Sequence, residues 1–259
     1  MKIAIIGAGN MGGATARGLA MSQYIDIRDI WISNPSRGKL DAIKSEFPQI
    51  NITQDNKECV HEADMVIIAV KPWKVEDIAK EITGELKNEN VILGSMAAGI
   101  STDKIGNLFG YQHPTYTIIP NTAIAVRQSM TFIAGKNTAP EIDSQVLALF
   151  QQLGEAMIVE ERLIPAGMAL ASCGIAYAMR YVRAATEGGV ELGMYANDAQ
   201  HIVEQTLKGA VALLQANGSH PEEEIDRVTT PGGITIRGLN AMEENGFTNS
   251  VIKGLKASK

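Results

Sequence analysis

The stretch Lys2-Ile3-Ala4-Ile5-Ile6-Gly7-Ala8-Gly9-Asn10-Met11-Gly12 decides the reading of the fold. A short apolar run predicts a buried strand, a Gly-x-Gly-x-x-Gly turn follows without a break, and an alanine-rich helical pattern comes next. The first glycine permits the tight turn and the second lets backbone approach a pyrophosphate. The third lets helix pack on strand, so that the helix N-terminus faces the phosphates. The strand before the motif and the helix after it turn a common glycine pattern into a dinucleotide-binding expectation.

Working outward, the first half of the chain alternates apolar runs with amphipathic helical patterns. Strands are expected at residues 3–6, 29–32, 65–70, 91–94 and 115–119, with later additions at 131–134 and 156–159. Helical patterns lie between them at 39–46 and 75–82. This alternation predicts an α/β domain, a doubly wound parallel sheet of Rossmann type covered on both faces. Beyond about Glu160 the strand signals stop and alanine-rich helical patterns take over, at 175–192 and 198–215. Asn197-Asp198 reads as the cap of the second and Asn217-Gly218 as its end. The expected division is a nucleotide-binding domain over residues 1–160 and an all-α domain over 161–259. The broad apolar faces of the latter, with Ile175, Ala178, Met179, Val182 and Ala185, suit burial against a second subunit.

Composition narrows the function classes. The 259 residues are 45% hydrophobic and 20% charged, an ordinary globular balance with ample core. The net charge of −6 is dispersed, and no Lys/Arg stripe forms, which argues against a nucleic-acid partner. Two distant cysteines, Cys59 and Cys173, suggest a reducing, cytoplasmic setting. The first residues already form the nucleotide strand, leaving no room for a signal peptide. Residues 163–179 carry no charge between Arg162 and Arg180, yet the run is short for a span of ~20 residues and contains Pro165 and Gly167. A packed helix is the expectation there, not a membrane segment. The four histidines show no metal or triad spacing, so no metal is expected. Glu222-Glu223-Glu224 reads as a solvated helix start.

Several stretches can carry binding. The residue ending the second strand, about twenty positions past the glycines, selects the dinucleotide: a carboxylate there favours NAD and repels a ribose phosphate. Here the chain reads Ile32-Ser33-Asn34-Pro35-Ser36-Arg37, with no carboxylate, and the small donors plus Arg37 favour NADP. A turn that merely caps the next helix is the other reading of Asn34 and Ser36. Ala69-Val70-Lys71-Pro72 and Ser95-Met96-Ala97-Ala98-Gly99 should line the same crevice at the carboxyl edge of the sheet. Lys71 is placed to meet a phosphate or ribose hydroxyl, or is a solvated loop charge. Near the end, Thr229-Thr230-Pro231-Gly232-Gly233-Ile234-Thr235-Ile236 is a glycine-rich turn before a helical pattern at 236–244. Its amides and hydroxyls would make a nest for a carboxylate, or simply start a helix.

Taken together these motifs resemble the pyrroline-5-carboxylate reductases over nearly the whole chain. The resemblance rests on residues 6–11, on 69–72, on Ala97-Ala98-Gly99 and on Pro120-Asn121-Thr122. It continues through Glu187-Gly188-Gly189-Val190, Gln205-Thr206-Leu207 with Gly209-Ala210, and 230–236. It implies a nucleotide domain followed by a helical domain interlocked with its twin, as a homodimer or higher homo-oligomer. It implies NADPH-dependent hydride transfer to the imine carbon of pyrroline-5-carboxylate, giving L-proline, with NADH left open as a second cofactor. Cofactor contacts carried over fall on Gly7, Ala8, Gly9, Asn10, Met11, Asn34, Ser36, Asn56, Val70, Lys71 and Ala97, with Pro72 in the same motif and Arg37 beside the ribose phosphate. The substrate carboxylate falls on Thr230, Gly233, Ile234 and Thr235, with Glu161 nearby. Thr235 is then the partner of the imine nitrogen, and Glu161 supports positive charge.

The chain departs from the family pattern in three places. Ala171-Ser172-Cys173-Gly174-Ile175-Ala176-Tyr177 replaces a serine and glycine run ending in Gly-Pro-Ala-Tyr. Asn121-Thr122-Ala123 replaces Asn-Thr-Pro, and Arg227 stands for an asparagine. Two alternatives follow: a related reductase of another imine or keto acid, and a non-catalytic dinucleotide sensor. The intact turn at 230–235 favours catalysis, since a sensor needs no carboxylate nest.

Overall fold

The structure, a computed structural model, describes residues 1–86 and 88–258. It forms two compact units, Met1–Ser172 and Cys173–Lys259.

In the first unit the strands are β1 (Ile3–Ile6), β2 (Ile30–Ser33), β3 (Asn51–Thr53), β4 (Met65–Ile68), β5 (Ile92–Ser95), β6 (Thr115–Ile119), β7 (Ser129–Lys136) and β8 (Gly154–Ile158). The helices between them are α1 (Asn10–Ser22), α2 (Arg37–Glu46), α3 (Asn56–Val60), α4 (Val75–Ile82), α5 (Thr102–Phe109) and α6 (Pro140–Gln151). One eight-stranded sheet runs in the order β3-β2-β1-β4-β5-β6-β7-β8. Its first six strands follow the doubly wound order, with β1 at the centre between β2 and β4.

Period-two alternation explains how a four-residue strand serves two layers. Ile3 and Ile5 enter a layer with Leu19, Ile43 and Phe150, contributed by α1, α2 and α6. Ala4 and Ile6 enter the opposite layer with Val60, Ile82 and Phe109, contributed by α3, α4 and α5. Met65 and Ile67 of β4 repeat the first pattern, and Val66 and Ile68 the second. Continuous apolar runs are therefore what a sheet buried on both faces requires.

Several elements differ from expectation. β3 was not expected: Asn51-Ile52-Thr53 is half-exposed and pairs only with β2 at the sheet edge, so no apolar run marks it. The sheet is not wholly parallel, because β7 runs antiparallel to β6. A short 3-10 turn, Thr122–Val126, ends on left-handed Arg127 and reverses the chain, which only an antiparallel neighbour permits. The strands expected at 29–32, 65–70 and 91–94 are shifted or shortened to β2, β4 and β5.

Past β8 come a 3-10 turn (Glu161–Leu163), α7 (Ile164–Gly167) and a π-helical stretch (Met168–Cys173). Ile164 packs with Ile119 and Ala134 of the sheet. The second unit holds α8 (Gly174–Glu191), α9 (Ala196–Asn217), α10 (Pro221–Val228), α11 (Ile234–Glu244) and α12 (Phe247–Ala257). α8 and α9 approach closely: a methyl on Gly189 would lie 2.8 Å from the Ala199 methyl. The expected cap at Asn197-Asp198 is displaced, since α9 starts at Ala196 behind Tyr195, while Gly218 ends it in the left-handed conformation as expected. Among the described residues of this unit only Thr186 and Ala199 are buried, and Met179, Ile202, Val211, Leu213 and Ile252 are exposed apolar groups. The helical run Glu161–Glu191 is long and apolar enough to cross a membrane by length and composition, a test that the core helices of soluble proteins also pass.

Candidate functional site

At the carboxyl edge of the sheet a cleft of about 850 Å³ opens beside the glycine turn. Gly7, at φ +105°, turns β1 toward α1, and its N–H donates to Ser33 O at 2.8 Å. A methyl on Gly12 would lie 1.9 Å from Gly7 O, so only hydrogen fits where α1 crosses the turn. A methyl on Gly9 would meet nothing within 4 Å and would project where a ligand must approach. Gly9 is the N-cap of α1 without a side-chain cap, and no acid stands in the first helical turn. The first amides and the positive end of α1 are thereby left for an anion.

The cleft wall gathers Gly7, Gly9, Asn10, Met11, Asn34, Asn56, Val70, Lys71, Pro72 and Ala97 from separate places in the sequence. Ala8, Ser36 and Arg37 are not on that wall. The Ala8 N–H donates to Asn34 Oδ1 at 3.2 Å, and Asn34 Nδ2 donates to Ser36 O and Oγ. Asn34 thus ties the glycine turn to the start of α2. Arg37 pairs with Asp41 one helical turn on, at 3.3 Å. Sequence reasoning missed Lys39, Gln54, Lys74, Asp77, Ile78 and Glu81, all on the wall. The spacing 74, 77, 78, 81 is one face of a helix and was the available signal.

Electrostatically, no carboxylate stands at the end of β2 or in the first turn of α2, whereas Lys39, Lys71 and Lys74 face the cleft. This donor set fits a dinucleotide with an extra ribose phosphate. Beneath the β2 end, the fully buried Ser33 hydroxyl donates to Asn56 Oδ1 at 2.7 Å, and Asn56 Nδ2 donates to Glu81 Oε2 at 2.9 Å. Cys59, packed beneath them, is buried and its thiol is pushed up to about 12 by desolvation, which makes it inert.

Glu161 lies in the first unit. Its two carboxylate oxygens accept from Thr102 N–H at 2.6 Å and from the Thr102 hydroxyl at 2.8 Å, capping α5 together with Ser101. The loop after β5 that carries Ala97 and Ala98 is held by its own bonds, the Ala97 N–H donating to Ser95 Oγ at 3.2 Å and the Ile100 N–H to Ala97 O at 3.2 Å. The threonine turn lies in the second unit. Thr230-Pro231-Gly232-Gly233 is a type II turn, closed by Gly233 N–H to Thr230 O at 2.9 Å, with Gly232 at φ +72°. Gly233 caps α11 without a side-chain bond, so α11 starts at Ile234, two residues before the expected pattern. Among the described residues neither the Thr230 nor the Thr235 hydroxyl has a partner in the chain. Such a helix start, rich in free donors, is chemically a carboxylate acceptor. No cluster of metal-ligating side chains occurs among the described residues.

Comparison with known proteins extends this picture. Residues 161–259 match the family model described as pyrroline-5-carboxylate reductase dimerisation, and residues 2–99 match NADP oxidoreductase coenzyme F420-dependent. Pyrroline-5-carboxylate reductase 2 of Dictyostelium discoideum is 37% identical, covering 99% of this chain and 90% of that protein. Pyrroline-5-carboxylate reductase 1 of the same organism is 36% identical over 99% of this chain, which spans only 48% of that longer protein. The crystal structure of Plasmodium falciparum pyrroline carboxylate reductase with NADP bound superposes with a TM-score of 0.90 at 25% identity, covering 100% of this chain and 95% of that one.

Proposed function

Because the chain belongs to the pyrroline-5-carboxylate reductase family, we propose that it reduces 1-pyrroline-5-carboxylate to L-proline with NADPH, the last step of proline synthesis. The observation that carries this reading beyond nucleotide binding is the turn from Thr230 to Thr235. A chain that only sensed a dinucleotide would have no use for an uncapped helix start flanked by two unpartnered hydroxyls.

NADPH supplies the hydride that adds to the imine carbon. The protein's share is binding and orientation. The glycine turn and the first amides of α1 would hold the pyrophosphate, and Asn34 and Lys39 the ribose phosphate, with Ser36 and Arg37 at the adjoining start of α2. Val70, Lys71, Pro72 and Ala97 complete the wall. On the substrate side Thr230, Gly233 and Ile234 anchor the carboxylate at the start of α11. The Thr235 hydroxyl pairs with the ring nitrogen, its oxygen accepting from the protonated imine, the better hydride acceptor. Glu161, whose carboxyl oxygens are held by Thr102, supports the positive charge of that protonated form. As the imine carbon accepts the hydride, the C=N electron pair passes to nitrogen and the secondary amine of proline results.

The exposed apolar faces of α8 to α12 belong, in this reading, to a homodimer or higher homo-oligomer in the cytoplasm. Pro165 and Gly167 in the Glu161–Glu191 run suit protein packing better than a bilayer. Reduction of another imine or keto acid is the second reading, favoured by the coincidence of the π-helical stretch Met168–Cys173 with the departures at Ala171 to Ile175.

The test is NADPH oxidation with and without pyrroline-5-carboxylate, with NADH in parallel and proline measured as product. Substrate-dependent oxidation that Thr235→Ala slows at least tenfold, without weakening NADPH binding, supports the reading. Tight NADPH binding with no oxidation would replace it with another substrate or with the sensor.

A further inference from the structure

Two groups in the cleft, Asp77 and Glu81, have a charge that opposes its evident purpose, and among the described residues Glu81 is the one fastened by a neighbouring side chain. Glu81 faces a site lined by Lys39, Lys71 and Lys74 for a polyanionic nucleotide, yet among the described residues it has no cationic partner. On the same helix Glu76 takes Lys80 at 3.0 Å. Instead Glu81 Oε2 accepts from Asn56 Nδ2, and the buried Ser33 hydroxyl, by donating to Asn56 Oδ1, fixes the Asn56 amide the right way round. Three elements, β2, α3 and α4, thus cooperate to hold one carboxylate at the rim, with Oε1 unpartnered among the described residues. Beside it, Ile78 presents a half-buried apolar surface to the same cleft.

The place of this group in the fold suggests its ligand. In a doubly wound sheet the pyrophosphate lies at the turn after β1 and the adenosine half lies on the β2 side. Asn34 and Lys39 mark the ribose there, and the α3–α4 edge with Asn56, Ile78 and Glu81 comes next. A flat apolar wall with a fixed anion at its edge matches a planar base that carries an exocyclic amine. We propose that Glu81 is a specificity-determining residue for the adenine base, its carboxylate accepting from the N6 amine, with Asn56 and Ser33 as its positioning residues.

The proposal rests on the assignment of NADP to this cleft, and one experiment separates the two. The full-length protein, its Glu81→Gln and Glu81→Ala variants are titrated calorimetrically with NADP and with its hypoxanthine analogue, in which a carbonyl replaces the amine. A charge-assisted hydrogen bond lost to a facing carbonyl corresponds to roughly tenfold or more in affinity. The wild type should prefer NADP by that factor. Glu81→Gln, whose amide donates to the carbonyl, should shrink the preference to about threefold or less, and Glu81→Ala should abolish it. Equal wild-type affinities overturn the proposal, as does an unchanged preference ratio in variants that weaken both nucleotides alike, the mark of a mere brace. Failure of the wild type to bind NADP at all would overturn the cofactor assignment together with it. Thermal unfolding of the free variants confirms folding, because Glu81 is exposed.

Discussion

Replacing Gly9 with alanine should abolish NADPH binding and leave the free protein intact, whereas the same change at Gly12 should unsettle the fold itself. At Gly9, φ −72° and ψ −170° are open to alanine, and the added methyl touches nothing within 4 Å. A slightly poorer N-cap and a less flexible unfolded chain, each about 0.5 kcal/mol, nearly cancel. The methyl nevertheless stands where pyrophosphate oxygens must come within ~2.9 Å of backbone amides. Losing two charge-assisted hydrogen bonds at about 1.5–3 kcal/mol each gives roughly 10²- to 10⁴-fold weaker binding. At Gly12 the methyl would lie 1.9 Å from Gly7 O and 2.9 Å from the Ala69 methyl. Ordinary contact begins at 3.4 Å, so about 1.5 Å of backbone movement is demanded (3.4 − 1.9). A cost of about 3 kcal/mol or more follows.

Thermal unfolding with and without NADPH reads both effects. At a hundredfold excess over Kd the ligand adds about 2.7 kcal/mol, or roughly 5–11 °C for a chain of this size. Wild type should show that rise and Gly9→Ala should not, from the same starting Tm. Gly12→Ala should start roughly 6–12 °C lower. A full NADPH-induced rise in Gly9→Ala, or a wild-type Tm in Gly12→Ala, would refute the reasoning.

Three further outcomes follow from the structure. Cys59, fully buried with its thiol near 12, should stay unmodified by a thiol reagent at pH 8 until the protein unfolds, as mass spectrometry of the labelled chain would show. Arg17 donates to both oxygens of Glu46 at 2.7 and 2.8 Å and holds its carboxyl below the ordinary range. A depressed acid stabilises above its unfolded pKa and loses that contribution as pH falls through the folded value. Glu46→Gln should therefore lower stability at pH 7 but not near pH 3, by under about 1 kcal/mol because the pair is solvated. The second unit, with two buried side chains among its described residues, needs a partner to bury its apolar faces, so specific activity should fall on dilution in step with dissociation measured by sedimentation. Constant activity in a demonstrably monomeric sample would separate catalysis from assembly.

How much was legible before the structure depended on what each residue answers to. Residues 3–12 answer to local requirements alone: a strand buried on both faces, a turn, a methyl that cannot fit at Gly12. Their pattern is complete in the sequence. β3 answers only to its neighbour β2, and three half-exposed residues leave no periodic trace. The α4 face at 74, 77, 78 and 81 was concealed differently. Polar and charged residues on an amphipathic helix ordinarily mean solvent, and only the cleft shows that this polar face has a ligand-sized space before it.

The ends of the site differ for the same reason. Asn34 could be singled out for the cofactor side because its place after β2 is fixed by topology, and the structure adds a contact the sequence does not announce, its clasp on the Ala8 amide and Ser36. Glu161 could be singled out only by resemblance to a family, since nothing around it in the sequence points to a purpose, whereas Thr235 stands in a glycine-rich turn that reads as a carboxylate nest on its own. The structure gives each a local account: a carboxylate fastened to Thr102, and a hydroxyl left free at an uncapped helix start. The helical unit makes the general point. Its helices are written plainly in the chain, yet its apolar residues remain exposed after folding, because the surface that buries them belongs, on the present reading, to a second copy. A sequence records which side chains need burial, and only the assembly decides where that need is met.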